Sequence, residues 1–119
     1  HAPLFAESRE QRDMLMDMAS IRKVFDLSRR ATVALVGIGS ILAKGSSYYD
    51  LRPLPKDGRE QLVESGVVAE FMAHLVREDG ALADLPLNRL LVAVEPREIA
   101  RCPRIIGVAA GETKVRPIL

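Results

Sequence analysis

The sequence predicts an α/β domain built on a largely parallel open sheet flanked by helices. Segments with helical spacing of apolar residues alternate with short apolar runs, and this alternation favours helices packed against a sheet. Residues 32–40 and 104–109 are two such runs. Neither alternates polar with apolar residues, which is typical of a strand buried on both faces in a parallel sheet. A length of 119 residues allows one domain with one core.

The first thirty residues predict the end of a strand followed by two helices. Residues 1–5 are typical of a strand end, and Ser8 is a predicted N-cap with Gln11 as its capping-box partner. Ser20 is the predicted cap of the second helix. The apolar positions that predict core packing are Met14, Leu15 and Met18 in the first helix and Ile21, Val24 and Phe25 in the second.

The middle of the chain predicts a strand, a loop, a helix and a second strand. The run at 32–40 ends in two glycines and a serine, and the Gly, Ser, Tyr, Asp and Pro residues of 40–54 predict a loop. A helix is expected to restart around Lys56 and to stop at Gly66. Residues 67–76 then predict one continuous strand.

The last third of the chain predicts a hairpin and two further strands. Asp79 and Gly80 form a strong turn signal, with a return arm expected at 81–83. A strand is expected at 90–94, and Pro96 is placed to begin a short helix. The second apolar run provides the last strand.

Charge and composition argue against several classes of protein. A net charge of +1 is too near neutral to imply a polyanionic partner by itself, and 4% aromatic residues without Trp disfavour a base-stacking surface. No apolar run reaches the roughly 20 residues needed to span a bilayer. Arg29 and Arg30 fit a solvated helix end better than a DNA contact. Cys102 has no disulfide partner and no Cys/His cluster has zinc spacing, so we expect a cytoplasmic protein without metal or cofactor.

Two glycine-containing strand ends carry the candidate binding chemistry. Ligands of open α/β sheets bind beyond the carboxyl ends of the strands, where glycine lets backbone N–H groups turn toward an anion. Lys114 adds a full positive charge at the second end. Together the two ends favour a ligand that carries a phosphate. The candidate residues are Gly37, Ile38, Gly39 and Ser40 at the first end and Gly111, Glu112 and Lys114 at the second.

Five short segments occur here in a specific order. They are Ala-Pro-Leu-Phe at 2–5, Ala-Leu-Val-Gly-Ile-Gly-Ser at 34–40, Gly-Val-Val-Ala-Glu at 66–70, Asp-Gly at 79–80 and Ile-Gly-Val-Ala-Ala-Gly-Glu-Thr-Lys at 106–114. In order and spacing they resemble the sugar-binding domain of SorC/DeoR-type bacterial transcription regulators. The resemblance extends over nearly the whole chain.

The resemblance implies a fold and a function. The fold is Rossmann-like, related to ribose-5-phosphate isomerase and glucosamine-6-phosphate deaminase. The function is to sense a phosphorylated sugar or polyol effector as a homo-oligomer, and thereby to modulate operator binding by a separate helix-turn-helix domain. Residues 1–119 would form only part of the effector domain, with the N-terminal DNA-binding domain and some strands of the sheet outside them.

The resemblance also assigns site residues and shows two departures. The family ending Gly-Gly-x-x-Lys is kept here at Gly111 and Lys114, whereas Ala110 replaces the first glycine. The family's Gly-Asp pair is replaced by Ala69 and Glu70, which makes Glu70 a longer carboxylate at a position expected to meet sugar hydroxyls. Both departures imply an effector of different size or pose.

Several alternatives remain open at this point. One is an isomerase or deaminase, although residues 37–40 have no Asp or His beside them and Ser40 is not in a Gly-x-Ser-x-Gly elbow. Another is an oligomerisation module without ligand. Tyr48 or Tyr49 either covers the ligand or packs on the surface, and His74 is interpreted as a structural residue of a strand.

Overall fold

Four strands form one open sheet, and helices flank it. The computed structural model describes residues 2–43, 45–46, 48–51 and 57–118. The strands of the described residues are β1 Ala34–Gly39, β2 Val67–Phe71, β3 His74–Arg77 and β4 Ile105–Val108. They lie in the order β3-β2-β1-β4 across the sheet. The α/β class and the open sheet flanked by helices are confirmed.

The pairing of the two predicted apolar strands is parallel, as expected. β1 and β4 run side by side, from Ala34 opposite Ile105 to Gly37 opposite Val108. The other two pairings are antiparallel, β1 with β2 and β2 with β3. The sheet formed by the described residues is therefore mixed and not largely parallel. A tight turn between β2 and β3 reverses the chain, which the sequence pattern did not reveal.

Burial of the apolar strands differs from the expectation. In β1, Ala34 and Val36 are buried, but the Leu35 side chain between them is 71% exposed. All four residues of β4 are exposed, and β4 is an edge strand of the sheet formed by the described residues. An unbroken apolar run does not determine whether one face of a strand is covered or both. The prediction that these strands are buried on both faces was therefore wrong for the described residues.

The two N-terminal helices, α1 at Arg9–Asp17 and α2 at Ala19–Arg29, begin in different ways. Ser8 Oγ accepts the Gln11 backbone N–H at 3.1 Å, which confirms the predicted cap. Gln11 Oε1 accepts the backbone N–H of Glu7 at 2.6 Å, one residue earlier than in a standard capping box. The prediction of Ser20 as the second cap was wrong, because α2 starts before it without a side-chain cap.

Five shorter helices complete the described fold. Residues 40–54 were expected to be a loop, but the helix α3, Tyr48–Leu51, forms within them. The predicted restart at Lys56 lies outside the described residues, and the next described helix is α4, Gly58–Glu64. Gly66, with φ of +77°, ends α4 one residue beyond its C-cap, as expected. None of the helices in the described ranges is long and apolar enough to cross a membrane. The helices are α3 Tyr48–Leu51, α4 Gly58–Glu64, α5 Pro86–Arg89, α6 Pro96–Ile99 and α7 Val115–Ile118, with a 3-10 helix at Glu112–Lys114.

The predicted strand at 67–76 is interrupted by a turn. Met72 and Ala73, with φ of 52° and 65°, separate β2 from β3. The predicted hairpin at Asp79 and Gly80 is confirmed, because the return arm bridges Val76 through Leu82. In place of the strand expected at 90–94, the structure has a single antiparallel bridge between Leu91 and Phe5. The same bridge confirms that the N-terminal segment is strand-like.

The buried core lies where the loop after β1 meets α4, β2 and β3. Its members are Ile41, Tyr48, Leu62, Val67, Leu75 and Ala83. Full burial of a large apolar side chain stabilises a fold by about 1.5–3 kcal/mol. This core therefore holds the carboxyl end of β1 and the β2–β3 hairpin in fixed positions.

Asn88 closes the open edge of β3. Its Oδ1 accepts the Leu75 backbone N–H at 2.8 Å, and its Nδ2 donates to the carbonyl oxygens of Leu75 at 2.9 Å and Ala83 at 2.8 Å. The Leu75 carbonyl oxygen also accepts the Ala83 backbone N–H at 2.9 Å, so Asn88 adds to the pairing of β3 with the return arm and satisfies the Leu75 N–H. The hydrogen bonds of Asn88 therefore hold the β2–β3 hairpin along β3, on the side that faces away from β1.

Candidate functional site

The carboxyl ends of β1 and β4 meet at one edge of the sheet and border an open cavity of about 500 Å³. The parallel register, which sets Gly37 opposite Val108, brings the two ends together. The location is the one expected for a ligand of an open α/β sheet. The cavity is lined by Leu35, Val36, Gly37, Ile38, Gly39, Glu70, Met72, Val108, Ala109 and Ala110.

Four of the predicted site residues lie together on this cavity. Gly37, Ile38 and Gly39 line it from β1, and Glu70 lines it from β2. Among the described residues that line it, Glu70 carries the one ionisable side chain. The other side chains of the described lining are apolar, and Glu70 places a single carboxylate among them on the β2 side.

Glu70 is placed by its pairing with β1. It lies directly opposite Gly39 in the antiparallel register, and paired residues of neighbouring strands project on the same face. Glu70 Oε1 accepts the Ala73 backbone N–H at 2.7 Å. Its Oε2 lies over Gly39. Within the described residues Glu70 forms no ion pair.

Ser40 has a structural role. It is fully buried, and its Oγ accepts the Leu42 backbone N–H at 3.2 Å. This contact organises the turn that follows β1. Ser40 does not line the cavity in the described structure, although it is next to Gly39, which does.

The second predicted strand end lies beside the cavity and not on it. Ala109 and Ala110 line the cavity, but Gly111, Glu112 and Lys114 are absent from its described lining. Gly111 has φ of +96°, a conformation that favours glycine, and its carbonyl accepts the Lys114 backbone N–H at 3.0 Å. The half-buried Lys114 thus follows the cavity wall at the end of a short 3-10 helix.

Sequence reasoning missed part of the cavity wall. Val108, Ala109 and Ala110 could have been assigned from the parallel pairing, because they follow β4 beside the end of β1. Nothing in the sequence around Met72 predicts that it lines the cavity. It reaches the cavity from a turn that contains neither Gly nor Asn, the residues that usually mark positive φ.

The two tyrosines after β1 pack inside the protein. Tyr48 is fully buried in the core and makes edge-on ring contacts with Phe5 and Tyr49. The Tyr49 hydroxyl donates to the Ile41 carbonyl at 2.7 Å, and burial raises the Tyr49 pKa. Neither ring lines the cavity, so the possibility that one of them covers a ligand finds no support here.

His74 is a structural residue, as predicted. It is buried at the start of β3, and its Nδ1 lies 3.2 Å from the Met72 carbonyl oxygen, which accepts a hydrogen bond from it. Burial lowers the pKa of His74 below its ordinary value. His74 therefore supports the β2–β3 turn as a neutral imidazole.

No group of three or more His, Cys, Asp or Glu side chains in the described ranges is arranged to hold a metal ion.

A second open cavity lies between α1 and α5, with three arginines and three carboxylates on its walls. Two of those arginines already pair with carboxylates, Arg12 with Asp13 and Arg89 with Asp84. The cavity bordered by Glu70 is thus the candidate site.

A family model described as "Putative sugar-binding domain" matches residues 1–119. The chain belongs to this family. The match extends over the full sequence and confirms the resemblance to the sugar-binding domain of SorC/DeoR-type regulators.

Curated relatives are transcription regulators. The chain is 32% identical over 120 aligned positions to the transcriptional regulator LsrR of Klebsiella pneumoniae, with 98% of this chain and 37% of that protein covered. It is 29% identical to the erythritol catabolism regulatory protein EryD of Brucella abortus, with 98% and 36% covered. The chain thus spans little more than a third of the length of these relatives.

Solved structures share the fold. A DeoR family transcriptional regulator from Listeria monocytogenes superposes with a TM-score of 0.88 at 21% identity, over 99% of this chain and 47% of that one. The full-length sorbitol operon regulator SorC from Klebsiella pneumoniae gives 0.86 at 22% identity, over 100% and 38%. The described sheet and its helices therefore have the same fold as the matching parts of these two structures.

The buried His74 makes stability depend on pH. Burial disfavours the protonated imidazole in the folded state, whereas the unfolded chain takes up a proton below the ordinary pKa of 6.5. We expect the free energy of unfolding contributed by this group to fall as the pH decreases from 7 to 5, by at most about 1.4 kcal/mol per pH unit. Urea unfolding of the wild type and of His74→Gln at pH 7, 6 and 5 measures it. An equal pH dependence in both proteins would contradict the assignment.

Proposed function

We propose that this chain is the effector-sensing domain of a bacterial transcription regulator, and that it binds a phosphorylated sugar or polyol in the cavity at the carboxyl ends of β1 and β4. The observation that carries the proposal is the Glu70 carboxylate opposite Gly39, at one end of an otherwise apolar cavity. The family match supports the sugar-binding role, and the regulators among its relatives support the sensing role.

The cavity suits the hydroxyl-bearing part of such an effector. An ionised carboxylate only accepts hydrogen bonds, so Glu70 pairs with hydroxyl donors and repels a phosphate. The apolar side chains of Leu35, Met72 and Val108 offer surface for the C–H groups of a carbon chain. A sugar or polyol presents both kinds of group.

The phosphate belongs at the other end of the cavity in this proposal. Ala110 lines the cavity, and Gly111 follows it directly. An effector that extends from Glu70 past Ala110 approaches the segment that contains Glu112 and Lys114. Backbone N–H groups beside the glycine and the ammonium group of Lys114 are suited to a phosphate there.

An enzyme of the isomerase or deaminase kind is the less favoured function. Proton transfer between sugar carbons needs a positioned base, and leaving-group chemistry needs an acid as well. Glu70 is the one ionisable group that lines the cavity among the described residues, and one of its oxygens is held by the backbone N–H of Ala73. We therefore propose binding without turnover.

The partners and the location follow from the same proposal. A regulator of this type acts in the cytoplasm, as a homo-oligomer, and contacts DNA through a helix-turn-helix domain outside residues 1–119. Exposed apolar side chains support burial against other protein surface, since contiguous apolar patches mark interaction sites. They include Met14, Val24 and Leu27 on the helices and Ile105 and Ile106 on the sheet.

Replacement of Lys114 tests the phosphate end. We expect Lys114→Ala to weaken effector binding roughly tenfold or more, because a charge-assisted hydrogen bond contributes about 1.5–3 kcal/mol. Calorimetric titration of the complete regulator with ribose 5-phosphate, sorbitol 6-phosphate and erythritol 4-phosphate measures the change, and operator binding should be unaffected. Lys23→Ala, an exposed lysine on α2, is the matched control. Equal dissociation constants for both variants would remove Lys114 from the site.

Replacement of Glu70 tests the hydroxyl end. Glu70→Gln keeps an acceptor for the Ala73 N–H but loses the charge, so we expect the fold to persist and affinity to fall by about 1–3 kcal/mol. Glu70→Asp withdraws the carboxylate by one methylene and should change the ranking of the three phosphates. Glu60→Gln on α4 controls for loss of charge alone. Unchanged ranking and strength in both Glu70 variants would assign Glu70 to the scaffold.

A further inference from the structure

Gly39 is the residue that makes room for the Glu70 carboxylate. A Cβ atom placed on Gly39 would lie 3.0 Å from the Glu70 carboxyl carbon, 3.1 Å from the Glu70 backbone carbonyl oxygen and closer still to Oε2. The approach to Oε2 is shorter than real Cβ contacts allow, so the carboxylate would have to move. The approach to the carbonyl oxygen is tight but requires only a shift of a few tenths of an ångström. The backbone of Gly39 does not have a positive φ, so its conformation itself accepts alanine.

At the other glycines of β1 and β4, an added Cβ atom would not come close to a functional group. A Cβ on Gly37 would meet open space. A Cβ on Gly107 of β4 would touch only Ile38 Cδ1, at an ordinary distance of 3.7 Å. The close approach is thus specific to position 39.

The β2–β3 turn holds the other oxygen of the same carboxylate. Glu70 Oε1 accepts the Ala73 N–H at 2.7 Å, and the His74 ring donates to the Met72 carbonyl. Both turn residues have positive φ without being glycine, a strained state that persists only where the surroundings impose it. The turn also brings Met72 to the cavity wall.

We propose that Gly39 is a positioning residue that sets effector affinity through Glu70. The absence of a side chain at 39, together with the Ala73 N–H, keeps Oε1 engaged in the turn and leaves Oε2 for one effector hydroxyl. Gly39 then acts on the effector indirectly and need not touch it. The inference rests on the proposed sugar-phosphate site and adds the residue that orients its carboxylate.

The first measurement follows the carboxylate without any effector. In Gly39→Ala of the complete regulator, displacement of Glu70 frees the Ala73 amide, and we expect its hydrogen exchange to accelerate at least severalfold. Gly107→Ala is the matched control and should exchange like the wild type. An Ala73 amide that stays equally protected in Gly39→Ala would overturn the proposal.

The second measurement uses ribose 5-phosphate, sorbitol 6-phosphate and erythritol 4-phosphate as titrants. We expect Gly39→Ala to bind the tightest of them about tenfold more weakly and Gly107→Ala to bind it as the wild type does. A wild type that binds none of the three contradicts the proposed function, while the exchange measurement still decides whether Gly39 holds the carboxylate.

The third comparison separates an indirect effect from a direct contact. Glu70→Ala removes the carboxylate, which is the closest contact of a methyl group at position 39. The 3.1 Å approach to the backbone carbonyl of residue 70 remains and is relieved by a shift of a few tenths of an ångström. The double variant Gly39→Ala/Glu70→Ala should therefore fold and bind as Glu70→Ala alone does, even where Gly39→Ala by itself fails to fold. A further tenfold loss in the double variant would show that position 39 touches the effector, and would overturn the proposal.

Discussion

The pairing of β1 with a different neighbour on each side determines where the candidate site lies. Parallel pairing with β4 brings two carboxyl ends to one edge of the sheet. Antiparallel pairing with β2 involves only the last two residues of β1, Ile38 and Gly39, so it delivers Glu70 to the same edge. A shift of this register by one residue would turn the carboxylate to the other face and remove it from the cavity.

The interior of the fold maintains this arrangement. The core that surrounds Leu75 anchors the hairpin, and Asn88 satisfies the open edge of β3. Ser40 and the Tyr49 hydroxyl fix the turn that follows β1. Side chains near the glycine-rich strand end therefore stabilise the scaffold, and Glu70 is the one ionisable side chain on the described lining of the cavity.

The sequence was most informative where a pattern has one structural meaning. Gly37 to Gly39 at the end of an apolar run predicted a strand end, and the structure places these residues on the cavity. Glu70 was assigned from its motif, and its register with Gly39 gives that assignment a geometric basis.

Other features depend on contacts that the pattern does not encode. The turn at Met72 and Ala73 has no glycine, so the sequence pattern of residues 67–76 is that of one strand. Hydrogen bonds of the turn with Glu70 and His74 stabilise it, and the pattern does not predict them. The apolar composition of β4 did not reveal that its residues are exposed in the described structure. Lys114 was assigned from its spacing to Gly111, but a 3-10 helix places it beside the cavity wall.

The most direct test of the central claim is a crystal structure of the complete regulator with the sugar or polyol phosphate that binds it most tightly. The account predicts that a hydroxyl of the ligand donates to Glu70 Oε2 above Gly39, with the phosphate at the end of the cavity beyond Ala110. A phosphate group next to Glu70, or a ligand bound away from the ends of β1 and β4, would contradict it.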